Sequence, residues 1–169
     1  MLNQLIYLCG PITGLSYEEC QTYYRQTVQT YQDVLRERGL QANGIPDDID
    51  EGQFISPLRG KDYLKQETCL GTSYSDHALS RGKAIVARDY FDVDRAGIVL
   101  ANFLGAQRVS IGSCCEISRA HAKNKLVVLV MEDEGNLHDH PFLTEAAGFR
   151  VNNLRDACRI IQHVTSTGL

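Results

Sequence analysis

Short apolar runs alternate along the chain with longer segments in which apolar residues recur at helical spacing. Three of the runs are almost entirely apolar, as is typical of parallel strands covered on both faces: LIYLCG (5–10), GIVLANF (97–103) and LVVLVM (126–131). Two shorter extended segments are predicted at QFISPLRGK (53–61) and GFRV (148–151). Strands that alternate with helices predict an α/β fold with a parallel sheet. No internal repeat divides residues 1–169, so we expect a single domain.

The helices are predicted from cap residues and periodicity. Ser16 stands three residues before Glu19, the spacing of a capping box, and the helix that follows should run to about Arg38, where Gly39 ends it. Further helices are predicted over AIVARDYFDVDRA (84–96), from the SIGSCC segment to Lys125, and from Asn152 and Asn153 to about His163. Residues 61–84 show no regular period and predict a long irregular loop, which in a compact domain is usually functional or disordered.

Composition and charge exclude several classes of protein. The net charge of −4 argues against a broad surface for a nucleic acid polymer. No run reaches the about 18 to 20 apolar residues that span a membrane, and MLNQLIYLCG lacks the basic start of a signal peptide. The six cysteines match no zinc pattern, so we expect reduced thiols in a cytoplasmic protein, with adjacent Cys114 and Cys115 as small packing residues.

Candidate chemistry lies in the loops that follow the predicted strands. Ligands of open parallel sheets bind beyond the carboxyl ends of the strands, and here these ends lead into CGPITG, NFLGAQRVSIGS and EDEGNLHDH. The first two loops carry glycines of the kind found where backbone approaches a ligand closely. GPITG does not match GxGxxG, so the dinucleotide-binding fingerprint is absent.

The SIGSCCE segment is the strongest of these signals. Ser110, Gly112 and Ser113 lie at the predicted start of a helix, where free amides and hydroxyls form a seat for a phosphate or another anion. Glu116 is predicted in the first helical turn, where the helix dipole favours its ionised form, as a nucleophile at an anomeric carbon requires. The alternative is that Glu116 only compensates the helix dipole.

A second group of carboxylates is predicted on the preceding helix. Asp89 and Asp92 are three residues apart and share a face, whereas Asp94 points elsewhere. One of the two, in a dry pocket, would keep a raised pKa and protonate a leaving group while Glu116 stays charged. Alternatively they form a solvated acidic face paired with Arg88 or Arg95.

Four cations offer counter-charges for a phosphate: Arg59 and Lys61 in SPLRGK, with Arg81 and Lys83. The alternative is ordinary surface charge. HDH (138–140) carries two histidines, but three adjacent residues do not readily converge on one ion and no third ligand is visible, so we predict no metal site.

Three motifs in order resemble the nucleoside 2-deoxyribosyltransferase superfamily, which includes the nucleoside 5'-monophosphate N-glycosidases. They are IYLCGPITG, RDYFDVDRAGIVLANFLGA and SIGSCCEISRAHAKNKLVVLVM, and the resemblance spans about residues 4–160. It implies a flavodoxin- or Rossmann-like three-layer sandwich with a five-stranded parallel sheet. It also implies a small-molecule nucleoside or nucleotide as substrate, no cofactor, and a homodimer or higher homo-oligomer with shared active sites.

The resemblance also assigns roles. Glu116 matches the nucleophile that attacks C1' of a 2-deoxyribosyl group and forms a covalent glycosyl-enzyme. Asp89 matches the aspartate that assists protonation of the departing base, with Asp92 in reserve, and Tyr7 matches the tyrosine that positions the nucleophile. Gly10, with Pro11 beside it, is expected to let backbone approach the sugar or base.

Ser110 bears on the substrate. The transferases carry an aspartate there for the 5'-hydroxyl, whereas the monophosphate hydrolases are similar to this chain in carrying a serine, which leaves room for phosphate. Two features depart from the hydrolases: Thr13 stands where they tend to have an arginine, and the loop before Ser110 is longer. In the family a neighbouring subunit completes the pocket, and Asp139 or His140 is a candidate for that role.

Several hypotheses about the function stay open. Transfer to another base and hydrolysis share the first half-reaction, and the base preference would be shaped by residues 41–61 and 61–84. A non-catalytic module that senses a nucleotide would use the same glycines and serines without needing Glu116 or Asp89. A redox protein would depend on Cys114 and Cys115 instead.

Overall fold

A five-stranded parallel sheet forms the centre of the protein in a computed structural model that describes residues 4–40, 42, 52–75 and 77–166. Each neighbouring pair of strands is parallel, in the order β2-β1-β3-β4-β5. The strands are β1 (Ile6–Cys9), β2 (Phe54–Ile55), β3 (Ile98–Asn102), β4 (Leu126–Val130) and β5 (Phe149–Val151). The predicted α/β fold class is confirmed; a single domain over residues 1–169 stays a prediction.

Over the described part of the chain, four α-helices connect consecutive strands and a fifth follows β5. They are α1 (Tyr17–Glu37), α2 (Gly82–Arg95), α3 (Ile111–Ala122), α4 (Pro141–Thr144) and α5 (Leu154–Ser166). The capping box of α1 is confirmed, since the Ser16 hydroxyl accepts from the Glu19 amide at 3.1 Å and the Glu19 carboxylate accepts from the Ser16 amide at 2.7 Å. Among the described residues, no helix has the length and apolar character needed to cross a membrane.

The sheet divides the core into two layers. Successive side chains of a strand point to opposite faces, so Ile6 and Leu8 of β1 pack against α1 and α5. Tyr7 and Cys9 of the same strand face α2 and α3 on the other side. The same alternation that builds the core therefore directs the Tyr7 hydroxyl and the Cys9 thiol toward Glu116 on α3.

Three predicted helix boundaries differ from the structure. α2 begins at Gly82, two residues earlier than expected; α3 ends at Ala122 rather than at Lys125; and α5 continues to Ser166 rather than ending near His163. The four-residue α4 was not predicted, because one turn opened by Pro141 has no periodicity to detect. These differences lie at element ends, where frayed turns make sequence signals weakest.

The loop predicted over residues 61–84 is irregular and mostly exposed, but Leu64 and Leu70 anchor it in the core. It contains two short 3-10 turns, Asp62–Leu64 and Ala78–Ser80. Leu70 is buried, and its backbone exchanges hydrogen bonds with the β1–α1 loop: its amide donates to the Leu15 carbonyl at 2.6 Å and its carbonyl accepts from Gly14 at 2.9 Å. The loop thus forms a wall beside the carboxyl end of β1. Of the 41–61 segment, residues 41 and 43–51 lie outside the described residues.

Candidate functional site

A cleft of about 390 Å³ opens at the carboxyl ends of β1 and β2 and reaches the first turns of α3. Four parts of the chain line it: the β1–α1 loop, the segment after β2, α2 and the start of α3. A second hollow of about 480 Å³ lies by the C-terminal end of α1, against α5, and contains none of the predicted site residues. Six of the predicted site residues line the first cleft, as expected for an open parallel sheet: Gly10, Asp89, Ser110, Gly112, Ser113 and Glu116.

Glu116 forms part of the cleft floor. Its side chain projects from α3 and is 5% exposed. The Tyr7 hydroxyl donates to Oε1 at 2.7 Å and the Cys9 thiol to Oε2 at 3.1 Å, so each carboxylate oxygen has a donor from β1. Tyr7 and Cys9 both face α3 because they are two residues apart on one strand. The carboxylate is therefore held in one orientation.

Burial, followed by repulsion from Asp89, raises the pKa of Glu116 to about 7. The hydrogen bonds from Tyr7 and Cys9, and the charge of Lys61, oppose this shift. Burial raises the pKa of both Tyr7 and Cys9 well above their ordinary values, so both remain protonated donors. Near neutral pH the carboxyl therefore stands close to its midpoint of ionisation.

Two expectations for Glu116 are wrong. α3 begins at Ile111, which puts Glu116 in the second turn rather than the first, and no acidic residue occupies the first turn. The helix dipole acts mainly over the first turn, so it does not hold this carboxylate ionised; desolvation dominates instead. The alternative that Glu116 only compensates the helix dipole also does not fit, because Glu116 is buried and lies beyond the first turn.

Asp89 lines the same cleft from α2. It is 8% exposed, and Arg88 donates to its Oδ1 at 2.8 Å. Burial raises the pKa of Asp89, while its hydrogen bond with Arg88 and that arginine's charge oppose the rise. We expected a raised pKa for one aspartate and an ordinary, ionised Glu116. This is wrong, because the pKa of Glu116 is raised as well. The two carboxyls share a poorly solvated space and repel each other.

Asp92 and Arg59 lie outside the cleft lining and bind each other. Asp92 is 0% exposed, and the Arg59 guanidinium donates to both of its oxygens at 2.9 Å. Arg95 donates to Oδ1 at 2.9 Å from the last turn of α2. The expected substrate roles of Asp92 and Arg59 are therefore replaced by a structural one, which fastens the segment after β2 to α2. Asp94 points elsewhere, as predicted, and pairs with Arg119.

Lys61 is one of the four predicted counter-charges, and it lines the cleft whereas Arg59 does not. It is 4% exposed and lines the cleft, whereas Arg81 and Lys83 are exposed and outside the lining. Burial, together with the charge of Arg88, lowers the pKa of Lys61 to about 8. No local pattern distinguishes Lys61 from Arg59 in SPLRGK, because which of the two turns inward depends on the chain path after β2.

The start of α3 forms one end of the cleft. Ser110 caps the helix, and its hydroxyl lies 2.9 Å from that of Ser113, which also donates to the Gly10 carbonyl at 3.0 Å. Gly112 lies beside them in the lining. At Gly10 a Cβ would stand 2.8 Å from the Tyr23 hydroxyl and 3.1 Å from the Asn102 carbonyl, so this position has no room for a side chain. Pro11 is not part of the lining.

His138 supports this end from behind. Its Nε2 accepts from the Ser110 amide at 2.8 Å, and its ring stacks on Phe103 with centroids 3.9 Å apart. Burial lowers the pKa of His138, which keeps the ring neutral and able to accept. His140 instead caps α4, and Asp139 pairs with Arg150 at 2.9 Å. The three residues of HDH therefore diverge, and within the described ranges no group of His, Cys, Asp or Glu side chains is arranged to hold a metal ion.

The adjacent cysteines differ from each other. Cys114 is half-buried against the core, as expected, but the packing interpretation is wrong for Cys115, which is exposed. Burial raises the pKa of Cys114, which disfavours the thiolate that redox chemistry uses. All six cysteines are free thiols.

Comparisons with known proteins show the fold but no family. A scan against protein-family models finds no match, and neither does a sequence comparison with curated proteins. Among solved structures, the molybdenum cofactor binding protein from the phototrophic bacterium Rippkaea orientalis is similar with a TM-score of 0.51 at 13% identity, over 98% of this chain and 99% of that one. The CMP N-glycosidase BcmB from Clostridium botulinum is similar with a TM-score of 0.47 at 13% identity, over 95% and 99%. At this identity the first likeness shows a shared α/β fold and assigns no activity, and the second adds nothing to it.

Proposed function

We propose that the protein cleaves the N-glycosidic bond of a nucleoside 5'-monophosphate or (2-deoxy)nucleoside through a covalent glycosyl-Glu116 intermediate. The sugar then passes to water, in an N-glycosidase, or to a second base, in a 2-deoxyribosyltransferase. The observation that carries this proposal is the Glu116 carboxyl in the floor of the cleft, with Tyr7 on one oxygen and Cys9 on the other. The motifs shared with the nucleoside 2-deoxyribosyltransferase superfamily add the substrate class.

In the first step the ionised Glu116 carboxylate attacks C1', and the bond between C1' and the base nitrogen breaks. The electron pair of that bond goes to the base, which takes its proton from Asp89. A bound base that excludes water from the cleft raises the pKa of Asp89 further, which keeps Asp89 protonated until the base departs. In the second step water or another base attacks C1', gives a proton back to Asp89, and releases Glu116 as a carboxylate.

Tyr7 and Cys9 act on both steps. Each donates to a carboxylate oxygen, so both stabilise the charged form of Glu116 before attack and again as the intermediate resolves. Their raised pKa values keep them from exchanging protons with the carboxylate. We therefore assign them as positioning residues rather than acids.

Ser110 favours a 5'-monophosphate within this proposal. Its hydroxyl and the first amides of α3 lie at the cleft, and the first amides of a helix have no acceptor within the helix. An aspartate here would repel a phosphate. Ser110→Asp is therefore expected to weaken turnover of monophosphates while leaving free nucleosides less affected.

The test compares the wild type, Glu116→Gln and the control Glu132→Gln with deoxynucleosides and their 5'-monophosphates, with and without a free acceptor base. Glu132 lies outside the cleft, on the segment after β4. Chromatography follows the products, and mass spectrometry of acid-quenched protein detects a sugar adduct that is absent from Glu116→Gln.

The outcomes separate the candidate functions. Release of base without an acceptor means an N-glycosidase, whereas exchange only with an acceptor means a transferase. If no substrate turns over while wild type and Glu116→Gln bind ligand equally, the enzyme proposal fails and a sensing module takes its place. Activity retained by Glu116→Gln also overturns the proposal.

A further inference from the structure

Lys61 is a buried lysine whose ammonium group has no direct protein partner. It is 4% exposed, and across residues 4–40, 42, 52–75 and 77–166 no ion pair or hydrogen bond engages that group, while the carboxyls of Asp89 and Glu116 act on it only through space. A lysine buried to this extent usually has a partner in direct contact. The neighbouring cations do have partners: Arg59 binds Asp92, and Arg88 binds Asp89. Lys61 is therefore available to a ligand in the cleft.

The sheet order puts Lys61 and the start of α3 at opposite ends of the cleft. Lys61 follows β2, the edge strand, whereas Ser110 follows β3 on the far side of β1. Tyr7 and Cys9 of β1 hold Glu116 between them. A substrate with C1' at Glu116 and its phosphate at Ser110 therefore extends its base toward Lys61.

The part of the cleft wall that follows β2 suits a flat ring. It includes Leu58, Leu64, Leu70 and Tyr74, which lie on the same segment of the chain as Lys61. Apolar and aromatic walls with few polar groups are typical of sites that orient a ring by one or two hydrogen bonds. A single donor in such a slot discriminates strongly between rings that carry an acceptor and rings that lack one.

We propose that Lys61 binds the base of the substrate, donating to a carbonyl oxygen and stabilising the negative charge that this oxygen takes as the bond to C1' breaks. The inference rests on the proposed function and names its substrate class: nucleotides of carbonyl-bearing bases, the pyrimidines and 6-oxopurines, rather than adenine. In this role Lys61 donates a hydrogen bond and transfers no proton. The electron pair from the C1'–N bond spreads onto the carbonyl oxygen, and the proton that neutralises the base comes from Asp89 as above.

The test uses Lys61→Met, which removes the charge at similar volume, and Lys61→Arg, which retains it. The control is Lys65→Met on the next turn, where an exposed lysine pairs with Asp62 at 2.8 Å. Circular dichroism and thermal melting verify that each variant folds. Values of kcat/KM are measured for the 5'-monophosphates of deoxyuridine, deoxyinosine and deoxyadenosine. Calorimetry measures binding of free uracil, adenine and 2-deoxyribose 5-phosphate.

Loss of a charged hydrogen bond predicts an about 10- to 100-fold fall in kcat/KM for the deoxyuridine and deoxyinosine substrates in Lys61→Met. The deoxyadenosine substrate should change less than about threefold, and Lys61→Arg should recover part of the loss. An equal fall for all three substrates overturns the proposal. So does loss of 2-deoxyribose 5-phosphate binding with uracil binding intact, since that would place the phosphate at Lys61.

The binding measurements also separate this inference from the proposed function. If the wild type cleaves no substrate, the enzyme proposal fails, but weaker uracil binding in Lys61→Met with unchanged 2-deoxyribose 5-phosphate binding still supports Lys61 as a base ligand. If the wild type cleaves substrates and uracil binds Lys61→Met as tightly as wild type, only the assignment of Lys61 fails.

Discussion

Replacing Glu116 by glutamine is expected to make the protein more stable above pH 7. Burial and repulsion from Asp89 raise the pKa of this carboxyl from an ordinary 4.5 to about 7. At 1.36 kcal/mol for each pKa unit, a shift of about 2.5 units means that ionised Glu116 costs the folded state about 3 kcal/mol. Glutamine keeps an acceptor for Tyr7 and carries no charge, so it avoids this cost.

The sign of the pH dependence follows from which state holds the proton. The unfolded chain releases it near pH 4.5, whereas the folded protein retains it until about pH 7. The stability of the wild type therefore falls as the pH rises between these values and levels off above them. The variant lacks this fall, so its advantage should be near zero at pH 4.5 and close to its full size at pH 8.

Urea denaturation followed by circular dichroism at pH 5 and pH 8 measures the difference. The control is Glu132→Gln: hydrogen bonds from Asn136 and the Gly105 amide lower the pKa of Glu132, so its replacement should reduce stability at pH 8. An equal gap between wild type and Glu116→Gln at both pH values would show that charge burial is not the cause. A variant less stable than wild type at pH 8 would refute the reasoning.

Two other predictions concern the partners of the two buried carboxylates. Tyr7→Phe removes the 2.7 Å hydrogen bond that lowers the pKa of Glu116, so that pKa should rise by about 1 to 2 units. Carbon-13 NMR titration of the Glu116 carboxyl measures it, and an unchanged midpoint would contradict the assigned bond. Asp92→Asn should cost about 2 to 3 kcal/mol of stability, below the about 3 to 5 of a fully buried pair because Arg59 and Arg95 are partly exposed. If Asp92→Asn lost activity without losing stability, Asp92 would instead have the substrate-binding role expected from the sequence.

The fold was predictable because its signals are local. The strands that became β1, β3 and β4 are apolar on both faces, and that pattern alone indicates a covered parallel sheet. The capping box of Ser16 and Glu19 lies within four residues and needs no tertiary information. The contact between Tyr7 and Glu116 spans 109 residues and was anticipated only through resemblance to a family.

The sequence indicated which residues belong to the candidate site better than it indicated their positions on the helices or their pKa values. The first-turn position expected of Glu116 depended on the residue at which α3 begins, and the pKa depended on burial that no spacing reveals. The different positions of Arg59 and Lys61, which the sequence treats alike, have the same origin. Two cations in one turn are equivalent in sequence until the path of the chain directs one toward Asp92 and the other into the cleft.

The alternation of β1 has an evolutionary consequence. Its even positions serve one core layer, whereas its odd positions, Tyr7 and Cys9, serve the Glu116 carboxyl. Two selective demands are thus interleaved on four residues. Insertion or deletion of one residue would exchange the two sets and present Ile6 and Leu8 to the carboxyl in a single step. Single residues of β1 can therefore be substituted one at a time during evolution, whereas a shift in the register of β1 within the sheet would disrupt both layers at once.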